Sequence, residues 1–183
     1  NRGVVTMPYD KDLAFTGEVV LNNPPVVVNG VIILGSAVYD GVRVDGPSGM
    51  VRAFDARTGA PLWTFDPVPR NPDDPMYATW GNAAASIGAT NVWTVMSVDE
   101  DRDLVFLPTS SPSSDYYGGH RPGENRYSNS VVALRGASGE VVWHFQTSHH
   151  DVWDFDLPSQ PILIDLARDG KKVPALVQIT KQG

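Results

Sequence analysis

Apolar residues along this chain come in short runs separated by turn-forming residues, a pattern of brief β-strands rather than of long amphipathic helices. Pro25-Val-Val-Val-Asn-Gly-Val-Ile-Ile-Leu34 is two such runs around Asn29-Gly30, a pair that readily takes positive φ at both positions and closes a tight hairpin. Runs at 50–55 and 62–65 complete a first group of four strands. Residues 67–90, rich in Pro, Asn, Gly and Ala, read as a long loop, and loops of that length inside a compact domain are often functional. A second group follows at 91–98, 104–107, 131–134 and 141–145, with an acidic turn at 99–103 and a polar excursion at 108–129 between its second and third strands. A third starts at 160–165, turns at Asp169-Gly170 and continues through 173–180. Residues 1–21 read as an approach loop. The expectation is an all-β chain.

Two of these hairpins repeat one another. Ala53-Phe-Asp-Ala-Arg-Thr-Gly-Ala-Pro-Leu-Trp63 and Ala133-Leu-Arg-Gly-Ala-Ser-Gly-Glu-Val-Val-Trp143 agree at Ala, Gly and Trp with no change of internal spacing. Recurrence at fixed spacing in a β chain suggests propeller blades or a solenoid. The two Ala residues would let a neighbouring sheet approach closely, and the two Trp residues would supply the flat surface that docks one blade on the next. The count is two blades, about 22–66 and 91–146, and an incomplete third at 160–183.

Composition narrows the classes. Seventeen Gly and fifteen Pro among 183 residues fit a turn-rich β protein. The formal net charge of −7 repels a phosphate backbone, which argues against a nucleic-acid partner. The absence of Cys removes disulfides and thiolate metal sites. No apolar run is long enough to span a bilayer and the N-terminus lacks a signal-peptide pattern. Both ends read as cut from a longer protein.

The densest polar cluster is His149-His-Asp-Val-Trp-Asp-Phe-Asp-Leu-Pro158, just after the second repeat. In an extended segment Asp154 and Asp156 share a side while Phe155 points away. A carboxylate beside aromatic surface, kept ionised by a cation, can act as a base; the plainer reading is a polar inter-blade loop whose Asp side chains make turn hydrogen bonds. Neighbouring residues on a strand face opposite ways, so His149 and His150 make a poor metal pair, and a zinc hydrolase built on them lacks a third ligand. Asp40 could be a hard oxygen ligand for Ca²⁺ or Mg²⁺, or simply an Asp at a strand end. Trp93 alone would read as core.

Taken together, the repeats, the run His149-His-Asp-Val-Trp-Asp-Phe-Asp-Leu-Pro-Ser-Gln-Pro161 and the stretch Arg121-Pro-Gly-Glu-Asn-Arg-Tyr127 before Ser130 resemble the pyrroloquinoline quinone (PQQ) dehydrogenases, most closely the membrane-bound glucose, quinate and polyol branch. The resemblance runs from about residue 20 to 183 and is most specific at 121–161. It implies an eight-bladed β-propeller, of which residues 1–183 would be a middle section, with PQQ and a Ca²⁺ or Mg²⁺ ion on the axis. Position by position it implies Asp154 as the catalytic base, Lys181 as the cation against the quinone oxygens, Trp93 as the indole under the PQQ ring and Asn91 as a polar contact to PQQ. Asp40 becomes an acidic metal ligand, and Ser111 falls where relatives carry Asn or Thr near the metal. The residue covering the other ring face would precede Asn1.

The expected activity is oxidation of a sugar or polyol hydroxyl by hydride transfer to PQQ, with electrons passing to a quinone. The expected location is the periplasm, with a membrane anchor outside this chain and the remaining blades as structural partners. The segment alone is expected to be inactive. The alternative is a non-catalytic propeller scaffold that binds other proteins; it needs the docking repeats but has no use for Asp40, Trp93, Asp154 and Lys181 together.

Overall fold

The computed structural model describes residues 19–40 and 43–183. Its twelve strands are β1 (Val19–Val20), β2 (Val26–Val28), β3 (Val31–Leu34), β4 (Ala37–Val38), β5 (Val51–Asp55), β6 (Pro61–Phe65), β7 (Ser97–Asp99), β8 (Leu104–Pro108), β9 (Ser130–Arg135), β10 (Val141–Gln146), β11 (Ile162–Arg168) and β12 (Lys171–Val177). They form two four-stranded antiparallel sheets, β2-β3-β5-β6 and β10-β9-β8-β7, with the hairpin β11-β12 and the short pair β1-β4. The all-β architecture expected from the sequence is thus present, and Asn29-Gly30 closes its hairpin with φ of +48° and +83°.

Strand alternation divides the apolar side chains between two interfaces. Val105 and Leu107 of β8, with Val132 and Leu134 of β9, join Val28, Ile33, Val51 and Ala53 of the first sheet in one buried core. Phe106, Val131 and Ala133, which alternate with them along β8 and β9, face the other way and pack with Leu157 and Leu176. Each face of the second sheet therefore covers a different neighbour, as successive propeller blades require.

The repeated hairpins are alike down to their irregularity. In the first, Ala53 faces Trp63 and Phe54 faces Pro61, leaving Leu62 as an extra residue; in the second, Ala133 faces Trp143 and Leu134 faces Val141, leaving Val142 extra. The bulge turns the Trp that follows it relative to its strand. Trp63 leaves its own sheet and donates from Nε1 to the Gly136 carbonyl at 2.9 Å. Its ring covers Gly139, where a Cβ would meet indole atoms at 2.7 Å. Trp143 occupies the same place one sheet later, tilted against Phe106 with ring centroids 5.9 Å apart. It is 39% exposed and borders a cavity of about 460 Å³ beside Leu163 and Leu176. Among the described residues it has no hydrogen bond like that of Trp63.

The structure corrects or sharpens four local expectations. The strand expected at 91–98 is reduced to Ser97–Asp99, because Ala89 and Thr90 take left-handed φ of +60° and +57° and Asn91 is drawn into side-chain hydrogen bonds. The loop at 67–90 contains 3-10 turns over Tyr77–Ala85 and buries Trp80 completely. The excursion at 108–129 is polar but interior: Thr109, Ser110, Ser111, Ser113, Arg121, Asn125 and Asn129 are all fully buried. Of the approach loop, Val19 and Val20 pair with Val38 and Ala37, and residues 1–18 lie outside the described residues.

Candidate active site

Lys181, just past β12, reaches back to the loop after β10. Its Nζ donates to the Asp154 carbonyl at 2.7 Å, and stands 3.1 Å from Asp154 Oδ2 and 3.5 Å from Asp156 Oδ2. The loop is not extended, as Asp154 has φ +58°, yet the two carboxylates still converge on one ammonium. Asp156 is nearly buried and fully engaged: Oδ1 accepts the Ser111 N–H at 2.6 Å and Oδ2 accepts the Trp93 indole N–H at 3.1 Å. That bond aligns the Trp93 ring beside the Asp154–Lys181 pair. Four segments distant in sequence meet here.

The surrounding field is strongly negative. Burial pushes Asp156 up to about 6, with Asp154 adding to the shift and the Ser111 N–H opposing it. Asp40 is raised, first by burial and also by Asp154, against the opposing pull of Lys181. Asp115 is pushed up to about 7 by burial and by the charges of Asp40, Asp154 and Asp156, against the smaller pull of Arg121. Burial alone would lower Lys181, but Asp156 and Asp154 outweigh it and raise its pKa. Four carboxylates thus share one region with one ammonium.

Asp40, Trp93, Ser111, Asp154 and Lys181 therefore belong to a single neighbourhood, linked by direct hydrogen bonds or by charge coupling. Asn91 lies beneath it, its Nδ2 donating to the Ser36 carbonyl and its Oδ1 accepting from Ser110 Oγ, each at 2.8 Å. His149 and His150 turn to the opposite wall of the loop: His149 Nδ1 is 4.0 Å from Glu124, and His150 Nδ1 is 2.8 Å from the Gly123 carbonyl. Sequence reasoning missed Asp115, hidden in a stretch read as a polar loop, and gave Asp156 no role beyond its spacing from Asp154. The Asp-Phe-Asp alternation was the available signal for Asp156.

Among the described residues no three His, Cys, Asp or Glu side chains are arranged to hold a metal ion between them. A divalent cation nonetheless fits the chemistry of the region. It would relieve the surplus of carboxylate, and Asp115 Oδ1 is buried without a hydrogen-bond partner. Further ligands would have to come from outside these residues.

The β-propeller domain model of the PQQ glucose, ethanol and alcohol dehydrogenases matches residues 1–183. The chain is 42% identical over 185 residues to the glycerol dehydrogenase large subunit of Gluconobacter oxydans (strain 621H), covering 100% of this chain and 24% of that protein. It is 34% identical over 184 residues to the quinoprotein glucose dehydrogenase of Escherichia coli (strain K12), covering 100% of this chain and 23% of that protein. Among solved structures, the quinohemoprotein alcohol dehydrogenase ADHIIG of Pseudomonas putida HK5 superposes with a TM-score of 0.79 at 29% identity, over 90% of this chain and 25% of that one. The chain spans about a quarter of the length of the curated relatives it matches, so its two four-stranded sheets and extra hairpin are a section of such a propeller. With a full-length family match, a repeated Trp-bearing hairpin and four distant segments meeting around Asp154 and Lys181, this chain belongs to the PQQ-dependent dehydrogenase β-propeller family.

Proposed function

We propose that the chain supplies one wall of the active site of a periplasmic, membrane-anchored dehydrogenase that oxidises a sugar or polyol hydroxyl and passes the electrons to a quinone. The observation that carries this reading is the convergence of Lys181, Asp154, Asp156 and Trp93 from three separate segments. When bound, PQQ supplies the carbonyl carbon that accepts hydride, and Ca²⁺ or Mg²⁺ with the Lys181 ammonium polarises that carbonyl.

Asp154 takes the proton of the substrate hydroxyl at Oδ1 or Oδ2 as the carbon-bound hydrogen leaves, a contribution of roughly 10²–10⁴ in rate. Its side chain is 31% exposed, so a substrate can approach it. Lys181 holds both the carbonyl and the carboxylate of Asp154, which fixes the base in place. Trp93, tethered through its indole N–H, offers an apolar face for the flat cofactor. Asp40 and Ser111 would hold the cation, and Asn91, its side chain held by Ser36 and Ser110, would make the polar contact to PQQ.

The test is to reconstitute the complete propeller with PQQ and Ca²⁺ or Mg²⁺, and to follow dye reduction with glucose, quinate and glycerol. PQQ-dependent turnover of at least one of them supports the reading. A protein that binds PQQ and metal but oxidises no sugar or polyol sinks it. Among the described residues no helix is long and apolar enough to cross a membrane.

A further inference from the structure

Asp151 lies under the site and takes no part in it directly. It is 1% exposed, and its carboxylate accepts four hydrogen bonds. Oδ2 accepts from Ser111 Oγ at 2.6 Å, from the Phe155 N–H at 2.8 Å and from Asn129 Nδ2 at 3.1 Å; Oδ1 accepts from the Trp153 N–H at 3.1 Å. Two of these donors are backbone amides flanking Asp154. The other two come from the buried stretch between β8 and β9. Arg121, fully buried, reinforces the junction by donating to the carbonyls of Asp151 and Ser114.

The arrangement dictates the state of Ser111. A serine hydroxyl has one proton and two lone pairs. The proton goes to Asp151, and one lone pair accepts Asn129 Nδ2 at 2.9 Å. One lone pair is left over, and it belongs to an oxygen whose proton is held by a carboxylate, which raises its basicity toward a cation. A serine in the place of an amide is thereby made a better ligand than an isolated hydroxyl.

We propose that Asp151 is a positioning residue with two effects: it orients the Ser111 hydroxyl so that a lone pair faces the cation, and it pins the loop that carries Asp154. The inference rests on the reading of this neighbourhood as a PQQ and divalent-cation site. Replacing Asp151 by Asn removes the charge that holds the Ser111 proton and leaves one oxygen for four donors, with an NH₂ set against one of them.

The experiment compares Asp151→Asn, Ser111→Ala and the double variant in the complete propeller, titrating Ca²⁺ calorimetrically into the PQQ-saturated, metal-free protein. Losing an outer partner of a metal ligand typically costs about 10–100-fold in affinity, so Asp151→Asn is expected to weaken Ca²⁺ by that factor and Ser111→Ala, which removes the ligand itself, by at least as much. The double variant is expected to be no weaker than the worse single, because both act through one hydroxyl. Hydrogen exchange at the Trp153 and Phe155 amides is expected to quicken in Asp151→Asn and not in Ser111→Ala. A lower melting temperature with wild-type Ca²⁺ affinity, or fully additive losses, overturns the proposal. If Asp151→Asn does not fold, Ser111→Ala with wild-type Ca²⁺ affinity overturns it alone. Wild-type protein that takes up neither PQQ nor Ca²⁺ overturns the functional reading itself, and this inference with it.

Discussion

Lys181 holds Asp154 at two points, 2.7 Å from its carbonyl oxygen and 3.1 Å from Oδ2, across 27 residues of sequence. An aspartate at φ +58° is held in an uncommon conformation, and a ligand at both ends keeps its carboxylate from swinging away.

Replacing that carboxylate isolates its role. Asp154→Asn keeps the shape and the hydrogen bond to Lys181 Nζ but cannot take a proton. In the complete propeller, PQQ and metal occupancy are expected to match wild type while kcat falls by roughly 10² or more, as for loss of a general base. Steady-state dye reduction at equal cofactor loading measures it. Wild-type turnover in this variant would move the base to another carboxylate, with Asp156 and Asp115 the first to be tried.

The docking of the first sheet on the second depends on Trp63. Trp63→Ala is expected to destabilise by about 3 kcal/mol, the low end for truncating a Trp, because this indole is only partly buried. Trp63→Phe loses the bond to Gly136 and is expected to cost about 1 kcal/mol. Urea unfolding of the complete propeller and its variants gives both numbers. No change in either would show that the sheets dock without this contact.

Gly59 and Gly139 form a matched pair, each with φ +73° at the same place in the two repeats. A Cβ at Gly59 meets nothing within 4 Å, whereas one at Gly139 meets the Trp63 ring at 2.7 Å. Gly59→Ala is expected to cost about 1–2 kcal/mol for the left-handed backbone alone. Gly139→Ala is expected to cost roughly 1–3 kcal/mol more through the clash. Combining Gly139→Ala with Trp63→Ala should remove most of that extra cost, a coupling readable from a double-mutant cycle.

The acidic region sets a pH dependence. Asp115 is raised from 3.8 to about 7 and Asp156 from 3.8 to about 6, each chiefly by burial. Between the unfolded and folded values the native state binds more protons than the unfolded one, so the stability that protonation confers is present at low pH and lost as pH rises. Metal-free protein should therefore become less stable from about pH 4 to about pH 7. Asp115→Asn should flatten the upper part of that window and raise the melting temperature at pH 8. Thermal melts in EDTA across this range check both, and a melting temperature that climbs with pH across the window contradicts the assignment.

Local chemistry made the fold readable. Asn29-Gly30, Asp169-Gly170 and the two Gly-containing repeats specify their turns within a few residues, and the two Trp residues marked the docking faces. Trp93 was harder, because its strand-like neighbours are overruled by the left-handed backbone at Ala89 and Thr90. That the polar stretch at 108–129 is buried could not be read from the sequence. Ser, Thr and Asn normally signal solvent, and nothing local shows that the partners of this stretch are Asn91, Asp151 and the Thr147 hydroxyl. Asp154 and Lys181 emerged by resemblance; Asp115 and Asp151 depend on partners such as Asp40, Ser111, Asn129 and Asp154 that are distant in sequence, and leave no pattern there.

The bond from Trp63 to the turn at Gly136 also sets the order in which the sheets can close. Strands β2, β3, β5 and β6 pair within residues 26–65, but the indole of Trp63 has nothing to close on until the hairpin of β9 and β10 has turned. Whenever the second sheet is unfolded, the first therefore carries an uncovered aromatic edge, and the loop closed by that one bond spans 73 residues. Each blade is finished only by the next, so stability passes along the array through neighbouring interfaces.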